Sequence, residues 1–284
     1  MGREVSAPAP GPSSGPRRNP RRGRGSHDPT TRPQRQKLVA RVTPKSFPER
    51  SALMEVGGCP LPEDRLYDLK SDVWWAVDPE GGTARIGVLG TLSAFAGPFR
   101  SLTFRPIEGA VGRGRSVATV ESTRFTGAIR VPVDVILVGR NDEVARRPRL
   151  LNDDPYAEGW VVRVRAARPD EPGLLLETAS QIAHRLEERI RTQRIRCWPT
   201  TPDFELYEIG IECSAVLTRL NEELATRSPG EAVLLVTDDP TSPIEMVRWS
   251  DQTGHPVLAH RREGTLHQFL VRKEAEPKPR RRRG

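Results

Sequence analysis

The side chains in this 284-residue chain best suited to chemistry are its thiols, Cys59, Cys197 and Cys213. They are few, odd in number and far apart, with no Cys-x-x-Cys pair, so no disulfide framework is expected. Cys213 falls where a strand predicted over 205–210 gives way to a helix predicted over 214–226. A thiol at a helix start faces unpaired backbone N–H groups and the positive end of the helix dipole, and both favour the thiolate. Such sites contribute about 0.3–1 kcal/mol, so at 1.36 kcal/mol per pKa unit the expected lowering is about one unit or less. Ser214 is a candidate cap for the helix, and Arg219 lies nearly two turns along it. A thiolate here can attack an activated sulfur, hold it as a persulfide and pass it to an acceptor thiolate. Cys59, after Gly57-Gly58, is expected to be exposed, and Cys197, before Trp198-Pro199, to be buried. Each is a candidate second thiol for Cys213.

Histidines offer less. With a turn at Glu263-Gly264, His260 faces His267 across a hairpin. Two imidazoles begin a metal shell, but no carboxylate or cysteine is placed to complete it. An ordinary sheet pair is expected, with no metal and no cofactor. Neither a phosphate loop nor a hydrolase motif occurs.

The elements that would position these groups fall into two sets. From Trp74 to Arg165 the pattern is mostly β: Val73, Trp75 and Val77 alternate, as do Ile129, Val131, Val133, Val135 and Leu137. Short strands with glycine-marked turns predict a small barrel or sandwich. After Pro169 and Pro172, residues 174–194 read as an amphipathic helix carrying Leu175, Ile182, Leu186 and Ile190. The last set reads βαβαββ, a small sheet covered on one face by two helices. Asp239 is a candidate cap for its second helix, over 242–249. The expected organisation is a disordered basic arm over 1–53, an all-β domain over 54–172, a helical connector over 173–204, an α/β domain over 205–273 and a basic tail over 274–284. Met54 opens the ordered pattern and is a candidate start of translation.

Charge follows the same division. The formal net charge is +8, yet residues 1–53 carry 12 Lys/Arg against 3 Asp/Glu and the tail 5 against 2, which leaves the part between them acidic. A basic nucleic-acid-binding core is therefore not implied, and RNA contact would rest on the ends. No apolar run of about 18 residues offers a membrane span. With no secretory h-region and few cysteines, a reducing cytoplasm is expected.

Particular segments carry two resemblances. LYDLKSDVWWAV (66–77), TARIGVLG (83–90), VATVESTR (117–124) and above all LLNDDPYAEGWVVRVR (150–165) resemble the glycine cleavage H protein. The resemblance implies a lipoyl-carrier fold, a barrel-sandwich hybrid, over about 66–170. That family carries lipoate on a Lys two residues after VES, and here the position holds Arg124. A guanidinium does not replace the amine that lipoylation needs. Between 54 and 273 only Lys70 and Lys273 supply amines, neither near that position. Arg124 is left as a solvated side chain or a contact for an anion or a partner.

LYEIGIECSAVLTRLNEEL (206–224), PGEAVLLVTDDP (229–240) and HQFLVRK (267–273) resemble the TusA-like sulfurtransferases, persulfide carriers of a two-layer α/β sandwich fold. Cys213 takes the place of that family's reactive Cys, while Ser214 and Val216 stand where its Cys-Pro-x-Pro motif has prolines. Together the resemblances imply a sulfur-relay protein with persulfide on Cys213, a docking module without lipoate, and a cysteine desulfurase or another sulfur donor as partner, the acceptor being unnamed. The competing expectations are an inert interaction protein descended from both carriers, and an RNA-associated protein held by its basic ends.

Overall fold

A computed structural model of the chain describes residues 52–275. The arm expected to be disordered, apart from Ala52 and Leu53, and the tail beyond Ala275 lie outside the described residues. The molecule is mixed α/β with several antiparallel sheets.

The first half opens with a hairpin of β1 (Leu53–Val56) and β2 (Cys59–Pro62), turned by Gly57 and Gly58 at φ 55° and 79°. Then follow β3 (Leu66–Asp68), β4 (Val73–Val77), β5 (Ala84–Val88), α1 (Gly90–Ala96), β6 (Phe99–Phe104), β7 (Gly109–Val111), β8 (Ser116–Ser122) and β9 (Thr126–Arg130). β10 (Val135–Arg140), α2 (Asp142–Arg146), α3 (Leu150–Asp153), β11 (Trp160–Ala166), α4 (Glu171–Leu175), β12 (Glu177–Thr178) and α5 (Ala179–Thr192) complete it. Seven strands pair in the order β12-β3-β4-β5-β11-β10-β7, and β6-β8-β9 form a sheet of three.

β4 explains how this half is layered. Val73 and Trp75 enter one core with Ile86, Val117, Val120, Ile129 and Val162, which joins residues of both sheets. Trp74 and Ala76 point the other way, into a second core with Val56, Leu61, Tyr67, Ile182, Leu186 and Ile190. A strand covered on both faces reads as a continuous apolar run, which is why the simple alternation through Val77 fails: Val77 is 63% exposed. α5 supplies the cover of the second face. Its start is fixed by a capping box, with Thr178 N–H donating to Gln181 Oε1 at 2.7 Å. The helix predicted from 174 therefore begins at Ala179, and the residues before it form α4 and the edge strand β12.

The run from Ile129 to Leu137 is not one strand. Pro132 lacks the N–H a ladder needs, and the chain turns over 131–134, so β9 joins the three-stranded sheet and β10 the seven-stranded one.

The second half contains β13 (Phe204–Glu208), α6 (Cys213–Ala225), β14 (Ala232–Thr237), α7 (Ser242–Thr253), β15 (Val257–Glu263) and β16 (Leu266–Arg272). The sheet order is β13-β14-β16-β15, with β13 and β14 parallel and the other pairs antiparallel. Val216, Leu220, Leu224, Met246 and Trp249 of the two helices cover Val233, Leu235, Phe269 and Val271. On the opposite face Ala232, Leu234, Val236 and Leu270 meet Trp198, which precedes β13. The hairpin turns at Gly264-Thr265, with Gly264 at φ 63°, one residue later than expected. His260 thus lies opposite Phe269, and its Nε2 reaches His267 Nδ1 diagonally at 3.1 Å.

Gly87 lies opposite Trp74 in the β4–β5 ladder, and a Cβ on it would sit 2.4 Å from the indole. Trp74 cannot step aside, because its Nε1 donates to Pro155 O at 3.0 Å and the ring is 1% exposed. Gly87→Ala is expected to destabilise the fold by about 1–3 kcal/mol. A urea midpoint shift at unchanged slope checks this.

Candidate functional site

Cys213 is the first residue of α6, and its backbone N–H is bound by Asp239, two residues beyond the end of β14. The cap of α6 comes from across the sheet and not from Ser214, whose carbonyl accepts from the Thr218 hydroxyl at 3.0 Å. Asp239, expected to serve only the helix that follows it, spends one carboxylate oxygen there, accepting from Thr241 N at 2.7 Å and Thr241 Oγ1 at 2.6 Å. Its other oxygen accepts from Cys213 N at 2.8 Å. These hydrogen bonds, the Thr241 hydroxyl first, hold the Asp239 carboxyl below its usual range and so keep it ionised.

The electrostatic consequence reverses the expectation for the thiol. The seat for negative charge at the start of α6 is occupied by a carboxylate. Cys213 is only 8% exposed, and burial pushes its pKa up. Asp239 and Glu245 add to the rise, and a hydrogen bond with Thr241 only partly opposes it. Arg219 gives no help, since its guanidinium is bound to Glu208 at 2.5 Å. Cys213 at rest is a protonated, sheltered thiol.

Arg124 lies at the tip of the β8–β9 hairpin. Ser122 builds that tip: its Oγ donates to Ala96 O at 2.7 Å and accepts from Arg124 N at 3.2 Å and Phe125 N at 3.0 Å. The Arg124 guanidinium pairs with Glu205 on β13 at 2.8 Å, and the Tyr207 hydroxyl donates to the other Glu205 oxygen at 2.8 Å. Nothing in the sequence singles out Glu205 as this partner. The alternation of Phe204 and Leu206 with Glu205 and Tyr207 separates two faces of β13 and leaves the contact unspecified.

Cys59 and Cys197 form a disulfide, Cα atoms 5.1 Å apart across a separation of 138 residues, which overturns both the expected absence of a bridge and the exposed position expected for Cys59. α5 folds back on the β1–β2 hairpin and delivers Cys197 to β2, a return that sequence spacing does not reveal. As a disulfide, neither cysteine is a second thiol for Cys213.

Between the hairpin tip and the sheet face not covered by helices lies a cleft of about 610 Å³. Phe95, Arg124, Trp198, Tyr207, Leu234 and Val236 line it, but Cys213 does not. The NDDPYAEGW segment buttresses its other side. Asn152 Nδ2 donates to Gly97 O at 2.9 Å, its Oδ1 accepts from Phe99 N at 2.9 Å, and the Tyr156 hydroxyl accepts from Gly90 N at 3.0 Å.

Comparison with known proteins finds two families along the chain. The profile for glycine cleavage H-protein matches residues 65–189, and that for sulfurtransferase TusA matches residues 208–273. Glycine cleavage system H protein 5 of Aquifex aeolicus (strain VF5) is 36% identical over 148 residues, which is 51% of this chain and 99% of that protein. A probable glycine cleavage system H protein 2 of Sulfolobus acidocaldarius is 34% identical over 142 residues, 49% of this chain and 93% of that protein. A crystal structure of an H protein from Mycobacterium marinum is 25% identical, with a TM-score of 0.39, over 44% of this chain and 98% of that one. The chain belongs to the glycine cleavage H-protein family and is a fusion: an H-protein domain followed by a TusA domain.

Replacing Asp239 with Asn removes a charge that raises the Cys213 pKa while keeping an oxygen that accepts from Cys213 N. Alkylation requires the thiolate, so in the wild-type chain its half-maximal pH is expected above the free-thiol value of about 8.5. In Asp239→Asn it moves down. An iodoacetamide rate–pH profile that stays put, or moves up, contradicts the electrostatic role of Asp239.

Proposed function

We infer that the protein is a sulfur-relay carrier that holds sulfur as a persulfide on Cys213, with its H-protein domain serving for docking and not for lipoate. The observation that carries this reading is the placement of Cys213 as the first residue of α6, inside the TusA match, held by Asp239. In this reading the helical connector expected over 173–204 shrinks, because β12 and α5 complete the sheet and second core of the first module: the H-protein module runs from 54 through α5, a short connector covers 193–204, and the carrier runs over 205–273. Donor and acceptor are proteins of the cytoplasm, the donor a cysteine desulfurase or another persulfide source.

The chemistry sets a condition on that donor. Because the resting thiol is protonated and flanked by Asp239 and Glu245, docking must bring a cation or a base to it. Once formed, the Cys213 thiolate attacks the terminal sulfur of the donor persulfide, and the donor cysteine leaves as its thiolate. The acceptor thiolate then takes the same sulfur and releases Cys213. This is carriage and not turnover of a small substrate, and joining carrier to docking module raises the carrier's effective concentration at its partner. Arg124 fits a docking role, since its guanidinium makes an ion pair and offers no amine for acylation.

The test is mass spectrometry after treatment with a cysteine desulfurase and cysteine, with a lipoate ligase and lipoate as a parallel arm. One added sulfur on Cys213, lost in Cys213→Ser, and no lipoyl adduct are expected. An unmodified Cys213 removes the relay reading, and a lipoyl adduct on any residue removes the docking reading of the H-protein domain.

A further inference from the structure

The disulfide joins the first half of the molecule to the segment that leads into the second. Cys59 is 1% exposed, within the core built on α5 and the β1–β2 hairpin. Cys197 is half-buried and lines the cleft, so one sulfur-bearing residue is reachable from that side and the other is not. Just after Cys197, Trp198 packs on the open face of the sheet. Arg261 from β15 donates to Cys197 O and stacks its guanidinium 4.6 Å over the Trp198 ring. The same guanidinium comes within 3.8 Å of where a Cβ on Gly58 would sit, so this cation stands beside both segments that carry the sulfurs.

We propose that Cys59–Cys197 is a thiol-exchange site, reached through the cleft by a dithiol reductant, whose cleavage releases the 196–203 segment from the first half of the molecule. One thiolate of the dithiol attacks the Cys197 sulfur. The S–S bond breaks, and its electron pair leaves on the Cys59 sulfur, whose thiolate forms near the Arg261 cation and then takes a proton. The second thiol of the reductant attacks the mixed disulfide and frees Cys197, which is protonated in turn. Two electrons and two protons come from the dithiol, which ends as a disulfide. Polar contacts that still tie the segment and the second half to the first include Arg149 with Asp203, Arg149 with Thr201 O, Arg124 with Glu205, and the Arg261 guanidinium beside Gly58 and Glu55. The Arg124–Glu205 pair is half exposed and contributes about 0–1 kcal/mol, so cutting the covalent bridge leaves the segment held chiefly by Arg149 and its part-buried partners Asp203 and Thr201 O. This site is separate from Cys213 and stands whether or not that residue carries sulfur.

The experiment uses the full chain, air-oxidised, with dithiothreitol as the reductant and no denaturant during reduction. Once the reductant is removed, mass mapping of chains alkylated with iodoacetamide in denaturant is expected to find one free thiol in the oxidised chain and three in the reduced one. Amide hydrogen exchange over 196–206 is expected to rise about tenfold or more on reduction, equivalent to about 1.4 kcal/mol of opening free energy, while β4 and α5 keep their protection. Cys59→Ser with Cys197→Ser should give the reduced pattern without reductant. Three free thiols in the oxidised chain, a bridge that dithiothreitol does not open under native conditions, or exchange over 196–206 that is the same in both states would each overturn the proposal.

Discussion

A four-stranded sheet with helices on one face must cover the other, and most of what joins the two halves of this molecule answers that constraint. Ala232, Leu234, Val236 and Leu270 present the second face, and Trp198 takes up part of it. The disulfide and the Arg261 stack fix Trp198 there, and Glu205 and Tyr207, on the same side of β13, meet Arg124 from the hairpin tip. Space left between these contacts is the cleft. The H-protein domain and the TusA domain thus meet along one boundary, and Arg124 at the hairpin tip is spent on a salt bridge across it.

Cys213 lies away from that boundary, at the start of the helix that covers the sheet's other face. Its surroundings suppress reactivity at rest: Asp239 occupies the helix terminus, burial disfavours the thiolate, and Glu208 takes up Arg219. Burial and the two carboxylates shield such a thiol from indiscriminate alkylation and oxidation, and in the proposed relay the positive charge that its own surroundings lack comes from the partner. The same carboxylate orders both helix starts, so shelter and scaffold come from one residue.

Much of this was legible in the sequence. Periodicity located α5, α6, α7 and the βαβαββ order, and Cys213 was placed at a strand–helix junction by the change of pattern around it. Its electrostatics were not legible, because the deciding group, Asp239, is 26 residues away and reaches Cys213 only through the parallel pairing of β13 with β14. The bridge was hidden for the same reason, since the return of α5 to the first hairpin is a tertiary event. Alternation over 129–137 hides a break, because it continues across Pro132 while the chain changes sheets. The histidine pair shows how little separates registers, a single residue in the turn changing the partner of His260 from His267 to Phe269.

Sulfur carriage at Cys213 is tested most directly by a single-turnover chase. The chain is loaded with isotopically labelled sulfur, freed of donor and mixed with an excess of acceptor thiol, and label is followed on both. Label leaving Cys213 at the rate at which it appears on the acceptor, with none transferred from a Cys213→Ser chain treated in the same way, is the predicted result. A persulfide that stays on Cys213 while the acceptor remains unlabelled, or transfer that persists in Cys213→Ser, contradicts it.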